Sequence, residues 1–210
     1  MKSRAAYITA ATPMLGSVLL VALAVAQAHW FNTIVREDSL LEWAEVSAFG
    51  VAAVLSARVA YRTDGFVRVA YGLLAVATLA AVGEELSWGQ RLFHVTTPET
   101  LATSNRQHEL NVHNLFEVES TDVVLLAVAI CGAMLPLLRP PGPFVPPRAL
   151  VPAFAVVAVY FGIRFLFLSE PTYVQAKFSE WPEFCFAAAV ALTAHNTLSR
   201  SRPGAAPERA

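Results

Sequence analysis

The sequence predicts an all-α integral membrane protein. It has six transmembrane helices, both termini on the cytoplasmic side, and one long outer-face loop that holds an interfacial or re-entrant helix. Three observations support this. Of the 210 residues, 56% are hydrophobic and 15% charged, with a mean hydropathy of +0.51, whereas a soluble domain carries about 25% charge. The apolar residues gather in six runs, at 6–28, 40–57, 66–83, 121–138, 149–168 and 183–198, each near the ~20 residues that cross a bilayer. The charges sort by side. With the N-terminus inside, the cytoplasmic segments hold ten basic residues against Asp64 and Glu208, and the remainder holds five against fourteen acids. Positive charge marks the cytoplasmic face. Amides inside lipid must be satisfied within the segment, and the alternation of a barrel strand is absent, so the runs are read as helices.

The first run follows Lys2 and Arg4 and ends on Ala26-Gln27-Ala28, an A-x-A pattern of the kind a signal peptidase cuts. Cleavage would leave His29 as a new N-terminus able to bind copper. The stretch is long for a signal peptide and fits a full span, so the first helix is expected to be retained. The second run is preceded by Arg36-Glu37-Asp38 and carries Glu42 and Glu45, which share a helix face at a spacing of three. The third follows the turn signal Asp64-Gly65 and closes on Glu84-Glu85.

Residues 84–120 form the long outer loop, 37 residues rich in polar side chains. It also contains Trp88, Phe93, Leu110 and Phe116, too much apolar content for plain disorder. The connector between the fourth and fifth runs holds Pro140, Pro141, Pro143, Pro146 and Pro147 and reads as extended and stiff. Arg164 lies about one turn from the outer end of the fifth run. The sixth run ends in the polar tail 199–210, expected to be disordered. Residues 1–198 thus form a single membrane domain. Pro13, Pro136 and Pro152 are expected near helix ends, where a missing amide matters least. Cys131 and Cys185 fall inside helices and read as small packing residues. Trp30, Trp43, Trp88 and Trp181 all fall at the outer boundary, as an interfacial aromatic belt would.

The chemistry-bearing residues gather on that same side. Glu45 lies deeper than Glu37 and Asp38. A charge inside lipid costs about 2.5 kcal/mol or more, so it faces protein or water. Glu84 and Glu85 close a helix at its C-terminus, where the dipole is already negative. Arg91, Arg164, a bound cation or protonation would compensate them. In residues 105–114, Asn105, Gln107, Glu109, Asn111 and His113 alternate on one face if extended; if helical, Glu109, His113 and Glu117 form a metal-ligating stripe. His108-Glu109 opens like a zincin motif. The next histidine is five residues on, about 140° away around a helix, which excludes that motif. Arg164, Glu170, Glu180 and Glu183 form a further group, with Arg164 expected in an internal ion pair with Glu84, Glu85 or Glu45. His195 sits toward the cytoplasmic end of the last helix, away from these groups.

The run 83–91, followed by Asn105, Gln107, Glu109, Asn111, His113 and Asn114, resembles a bacterial family of uncharacterised multi-pass membrane proteins. So does Arg36-Glu37-Asp38 with Glu42-Trp43. The resemblance spans about 36–115 and implies a six-helix-like membrane fold with a shared outer-face site; it brings no activity. A distant likeness to alkaline ceramidases would cast Ser87, His94 and His113 as zinc-site residues, but the chain lacks the paired histidines on a late helix.

Two functional readings follow. The first is a metal-dependent hydrolase or transferase of the bacterial inner membrane, acting on a lipid or lipid-linked substrate at the outer leaflet. Glu45, Glu84, Glu109 and His113 would hold zinc, iron or manganese. Glu84, Glu85 and Glu109 would do acid–base work, and Gln90, Asn111, Asn114 and Arg164 would orient the substrate. The second is a non-catalytic subunit or assembly factor, bound to a partner membrane protein, whose polar cluster is a structural network. A small transporter ranks third, since no repeat or interrupted helix is present. Basic residues are too thinly spread for nucleic-acid binding.

Overall fold

The computed structural model describes residues 2–93, 95–103, 110–111, 118–168 and 170–201. Ten α-helices occur among them: α1 Lys2–Ala26, α2 Ala28–Val35, α3 Leu40–Arg62, α4 Gly65–Glu85, α5 Gln90–Phe93, α6 Glu99–Ala102, α7 Val118–Leu138, α8 Val151–Phe167, α9 Tyr173–Lys177 and α10 Glu180–Arg200. Single 3-10 turns precede α5 and α8, at Ser87–Gly89 and Arg148–Leu150. Each of the six apolar runs coincides with a long helix. Four stretches are long and apolar enough to cross a membrane: Arg4–Ala26, Ala28–Arg62, Gly65–Glu85 and Arg148–Phe167. Asp122–Leu138 is a shorter apolar helix.

The first run does not continue unbroken to residue 28. The helix breaks at Gln27 (φ −147°, ψ 62°), and α2 folds back so that Phe31 and Val35 bury against Leu20 of α1 and Leu41 of α3. The chain then turns through Asp38, whose φ is +57°. Ser39 caps α3 by accepting from the Glu42 amide at 3.5 Å, and the Glu42 carboxylate reaches back to the Asp38 amide at 2.6 Å. One of the amides that a helix start leaves open, that of Glu42, is thereby satisfied, and the turn residue before the cap is held as well.

The helices form a row. α3 lies between α4 and α10, and α8 lies between α10 and α7, with α1 laid against α8. One core, Ala129, Phe154, Val157, Phe161, Cys185 and Ala189, joins α7, α8 and α10. Another, Val59, Tyr71, Ala194 and Leu198, joins α3, α4 and α10 at their basic end. There the Tyr71 hydroxyl donates to the Pro143 carbonyl at 2.5 Å and pairs with Thr197 Oγ1 at 2.9 Å. This ties down the proline-rich connector.

Large apolar side chains also cover the outside, among them Leu15 and Leu19 on α1 and Leu73 and Val76 on α4. Exposed apolar faces on long helices are compatible with lipid contact. Cys131 points outward from α7 and does not pack inside, unlike Cys185.

Pro13 departs from expectation. It lies in the body of α1, not near an end. Trp181, the second residue of α10, sends its indole N–H to the Pro13 carbonyl at 3.1 Å and to Ser17 Oγ at 3.2 Å. The ring fills the notch left by Gly16, where a Cβ would sit 2.0 Å from it. Trp30, Trp43 and Trp88 are exposed as a belt would have them. Trp181 instead locks the first helix to the last.

Candidate functional site

The acidic ends of α3 and α10 meet. The two helices run in the same direction, since Glu45 approaches Glu183 at one end and Val59 packs on Ala194 and Leu198 at the other. One turn below the acids, Phe49 and Phe186 stack edge to face with ring centroids 6.4 Å apart. Positions three and four apart share a helix face, so this aromatic contact carries Glu45 and Glu183 toward each other. Glu180, three residues before Glu183, joins them. One carboxylate oxygen from each of Glu45, Glu180 and Glu183 lies within 4.8 Å of the others. Glu45 is 3% exposed. Its electrostatic neighbours are Glu183, Glu85, Glu180 and Glu42.

Two cations border the trio. Lys177 Nζ lies 3.1 Å from Glu180 Oε1. Burial pulls the Lys177 pKa down, but the Glu180 carboxylate together with Glu37 and Glu42 outweighs this and holds it above the ordinary lysine value. Arg164 lies beside Glu183 and Tyr160. Its Nε binds Asp122 Oδ2 at 2.8 Å, with both side chains largely buried. Arg164 thus has the internal ion pair expected of it, but with an acid of α7 that the sequence reading did not consider. Asp122 is the only charged residue in the run 121–138. Its depth near the acidic end could have matched it to Arg164.

A second group forms where α4 ends. Ser87, Trp88 and Gly89 all take positive φ, at 46°, 52° and 83°. For Ser87 and Trp88 the left-handed region costs roughly 1–2 kcal/mol each. The turn folds the Trp88 ring over Gly83, where a Cβ would meet it at 2.9 Å. The indole N–H then donates to Glu84 Oε1 at 2.7 Å. This donor eases a carboxylate at the negative end of a helix, and it was not among the compensating groups expected from sequence. Glu85 faces the trio, within electrostatic reach of both Glu45 and Glu183.

The loop is fastened here too. Gln90 accepts from the Leu110 amide at 2.7 Å and donates to Thr97 Oγ1 at 2.5 Å. Asn111 is buried and its amide meets the fully buried Ser87 hydroxyl at 3.5 Å. Of the residues predicted to carry a site, the structure therefore divides those it describes. Glu45 enters a buried carboxylate trio with Glu180 and Glu183. Glu84, Gln90 and Asn111 make contacts that hold the loop to α4, and Arg164 braces α8 against α7. Glu109, His113 and Asn114 lie outside the described residues.

Glu180 and Glu183 were grouped with Arg164 in the sequence but not with Glu45, from which 135 and 138 positions separate them. Comparison with protein-family models, with curated proteins and with solved structures gave no match.

Proposed function

We propose that this chain is a six-span protein of the bacterial cytoplasmic membrane, with both termini inside and its working site at the outer face. The site acts as a metal-dependent hydrolase or transferase on a lipid or lipid-linked substrate. The observation that carries this reading is the convergence of Glu45, Glu180 and Glu183 from two helices into one largely buried cluster. Buried carboxylates brought this close repel one another and call for a cation. A metal held there would activate a water for attack on an ester or phosphoryl centre, with a neighbouring carboxylate such as Glu85 taking the proton. The parallel course of α3 and α10 supports the topology, because the second and sixth spans of a six-span chain run the same way.

A second reading is a structural role in a membrane assembly. It is favoured by the bonds of Glu84, Gln90, Asn111 and Arg164, each of which holds one element to another. Elemental mass spectrometry on detergent-purified protein separates the two. The enzyme reading expects near-stoichiometric metal in wild type, lost in Glu45→Ala and Glu183→Ala. It also expects turnover of membrane lipid extracts that stops in the same variants. Folded wild type that takes up no metal after reconstitution leaves the structural reading standing alone.

A further inference from the structure

We propose that the basic end of the bundle is a docking surface for the phosphate headgroups of anionic phospholipids. It takes from the reading above only that the helices cross a membrane, and it needs neither the metal nor the reaction.

The first observation is charge without partners. At the acidic end Lys177 is matched by Glu180 and Arg164 by Asp122. At the basic end, among the described residues, Asp64 is the only acid, and Arg68 holds it at 2.8 Å. Arg68 also donates through Nε to the Ala60 and Thr63 carbonyls at 3.3 and 2.8 Å, so it is taken up in closing α3. Val59 packs on Leu198, which sets Arg58 and Arg62 at the same level as Arg200. These three and Arg139 are exposed, and none of them meets a described acid.

The second is depth. Ser47, Val51, Val54, Arg58 and Tyr61 are exposed positions of α3 spaced three or four apart, so they form one stripe turned away from the bundle. The stripe is apolar at Val51 and Val54 and becomes basic one turn before the helix ends. An arginine there lays its methylenes along the apolar surface and carries its charge to headgroup level. A phospholipid brings a phosphate to that depth with its chains beside the two valines. A soluble anion does not approach from the lipid side.

The third is rigidity. Orientation by charge requires only that basic residues stay on one side. Here the chain that carries them is also pinned. The Pro143 carbonyl accepts from Tyr71 at 2.5 Å and from Thr197 Oγ1 at 3.0 Å. Phe144 packs on Phe66 and Tyr71 with ring centroids 5.6 and 5.9 Å apart, and Arg148 Nε donates to the Pro136 carbonyl at 3.2 Å. The connector that Arg139 opens is thus fixed against α4 and α10, and a fixed surface loses little freedom on binding. Tyr61 and Phe66, 86% and 77% exposed, stand among the arginines, as aromatic residues at headgroup level do.

The test uses the full chain, delipidated in uncharged detergent micelles and titrated with dioleoyl phosphatidylglycerol or dioleoyl phosphatidylcholine while thermal unfolding is followed. The anionic lipid is expected to raise Tm by several degrees more than the choline lipid, as a ligand specific to the folded state does. About 1 M sodium chloride, which screens charges beyond about 3 Å, should abolish that excess. An arginine near an anionic surface is worth about fivefold in affinity. The triple variant Arg58→Gln, Arg62→Gln, Arg200→Gln should therefore raise the half-saturating phosphatidylglycerol by more than about tenfold. Arg36→Gln, at the acidic end, should not change it.

Equal shifts with the two lipids, an excess that survives salt, or one that the triple variant retains in full would overturn the proposal. So would the same shift from inorganic phosphate alone, which would mark a site for soluble anions. If the triple variant does not fold, the salt dependence of the wild-type excess decides by itself. Wild type that holds no metal and turns over no lipid would end the enzyme reading and leave this surface standing, since neither property enters the measurement.

Discussion

Arg164 and Asp122 hold the acidic ends of α8 and α7 together through one 2.8 Å bond between largely buried groups. Removing one partner of a buried ion pair costs about 3–5 kcal/mol, of which Glu183 beside Arg164 offsets a part. Asp122→Ala is therefore expected to lower stability by that order in denaturant titrations in micelles, and Asp122→Leu combined with Arg164→Met to recover most of the loss. Trp88 supplies a smaller effect. Trp88→Phe keeps a ring over Gly83 but deletes the donor to Glu84. The bond is solvent-exposed, so its loss is expected to cost at most about 1 kcal/mol, and the readout is faster proteolysis within residues 95–103. Among single residues, charge and depth could be read in sequence for Glu45 and Arg164. Their partners could not, because Glu183 and Asp122 are brought to them only by helix packing.

Among the elements, α1 and α10 show most clearly what a long-range contact adds. Composition places an apolar helix near the N-terminus, but it does not reveal that Gly16 forms a notch or that Trp181 fills it. A side chain at position 16 meets the Trp181 ring at 2.0 Å. Gly16→Leu should thus displace the ring from Pro13 and Ser17 and cost about 1–3 kcal/mol, the usual range for overpacking. The measure is a lower Tm together with a red-shifted tryptophan emission. The same contact bears on processing. Leu20 on α1 is buried with Phe31, Val35 and Leu41, so removal of residues 1–28 would strip a wall from the core. The intact mass of protein purified from membranes is expected to include α1. A mass beginning at His29 would contradict this. α2 was not foreseen, because His29, Asn32 and Thr33 interrupt the apolar residues after Ala28 and the segment reads as an outer connection. The break is set by packing against α1, which no local pattern records.

At the scale of the whole molecule, the basic and acidic ends of the bundle lie at opposite ends of α3, with Arg58 and Arg62 at one and Glu42 and Glu45 at the other. The proposed topology predicts that single cysteines replacing Thr63 and the exposed Arg200 resist an impermeant thiol reagent in intact cells, in a background lacking Cys131 and Cys185. One replacing Glu99 should react. Labelling of position 63 without position 99 would invert the orientation. Sequence alone determined that the chain is helical, apolar enough for a membrane, and divided into six long runs whose charges separate by side. Each of these is a property of composition and local period, since a backbone in lipid has few ways to satisfy its amides. Tertiary structure decided which carboxylates share a site. Glu45, Glu180 and Glu183 meet because α3 and α10 pack in parallel with Phe49 on Phe186. The register between helices far apart in the chain depends on side-chain shape across the whole interface, and hydropathy does not encode it.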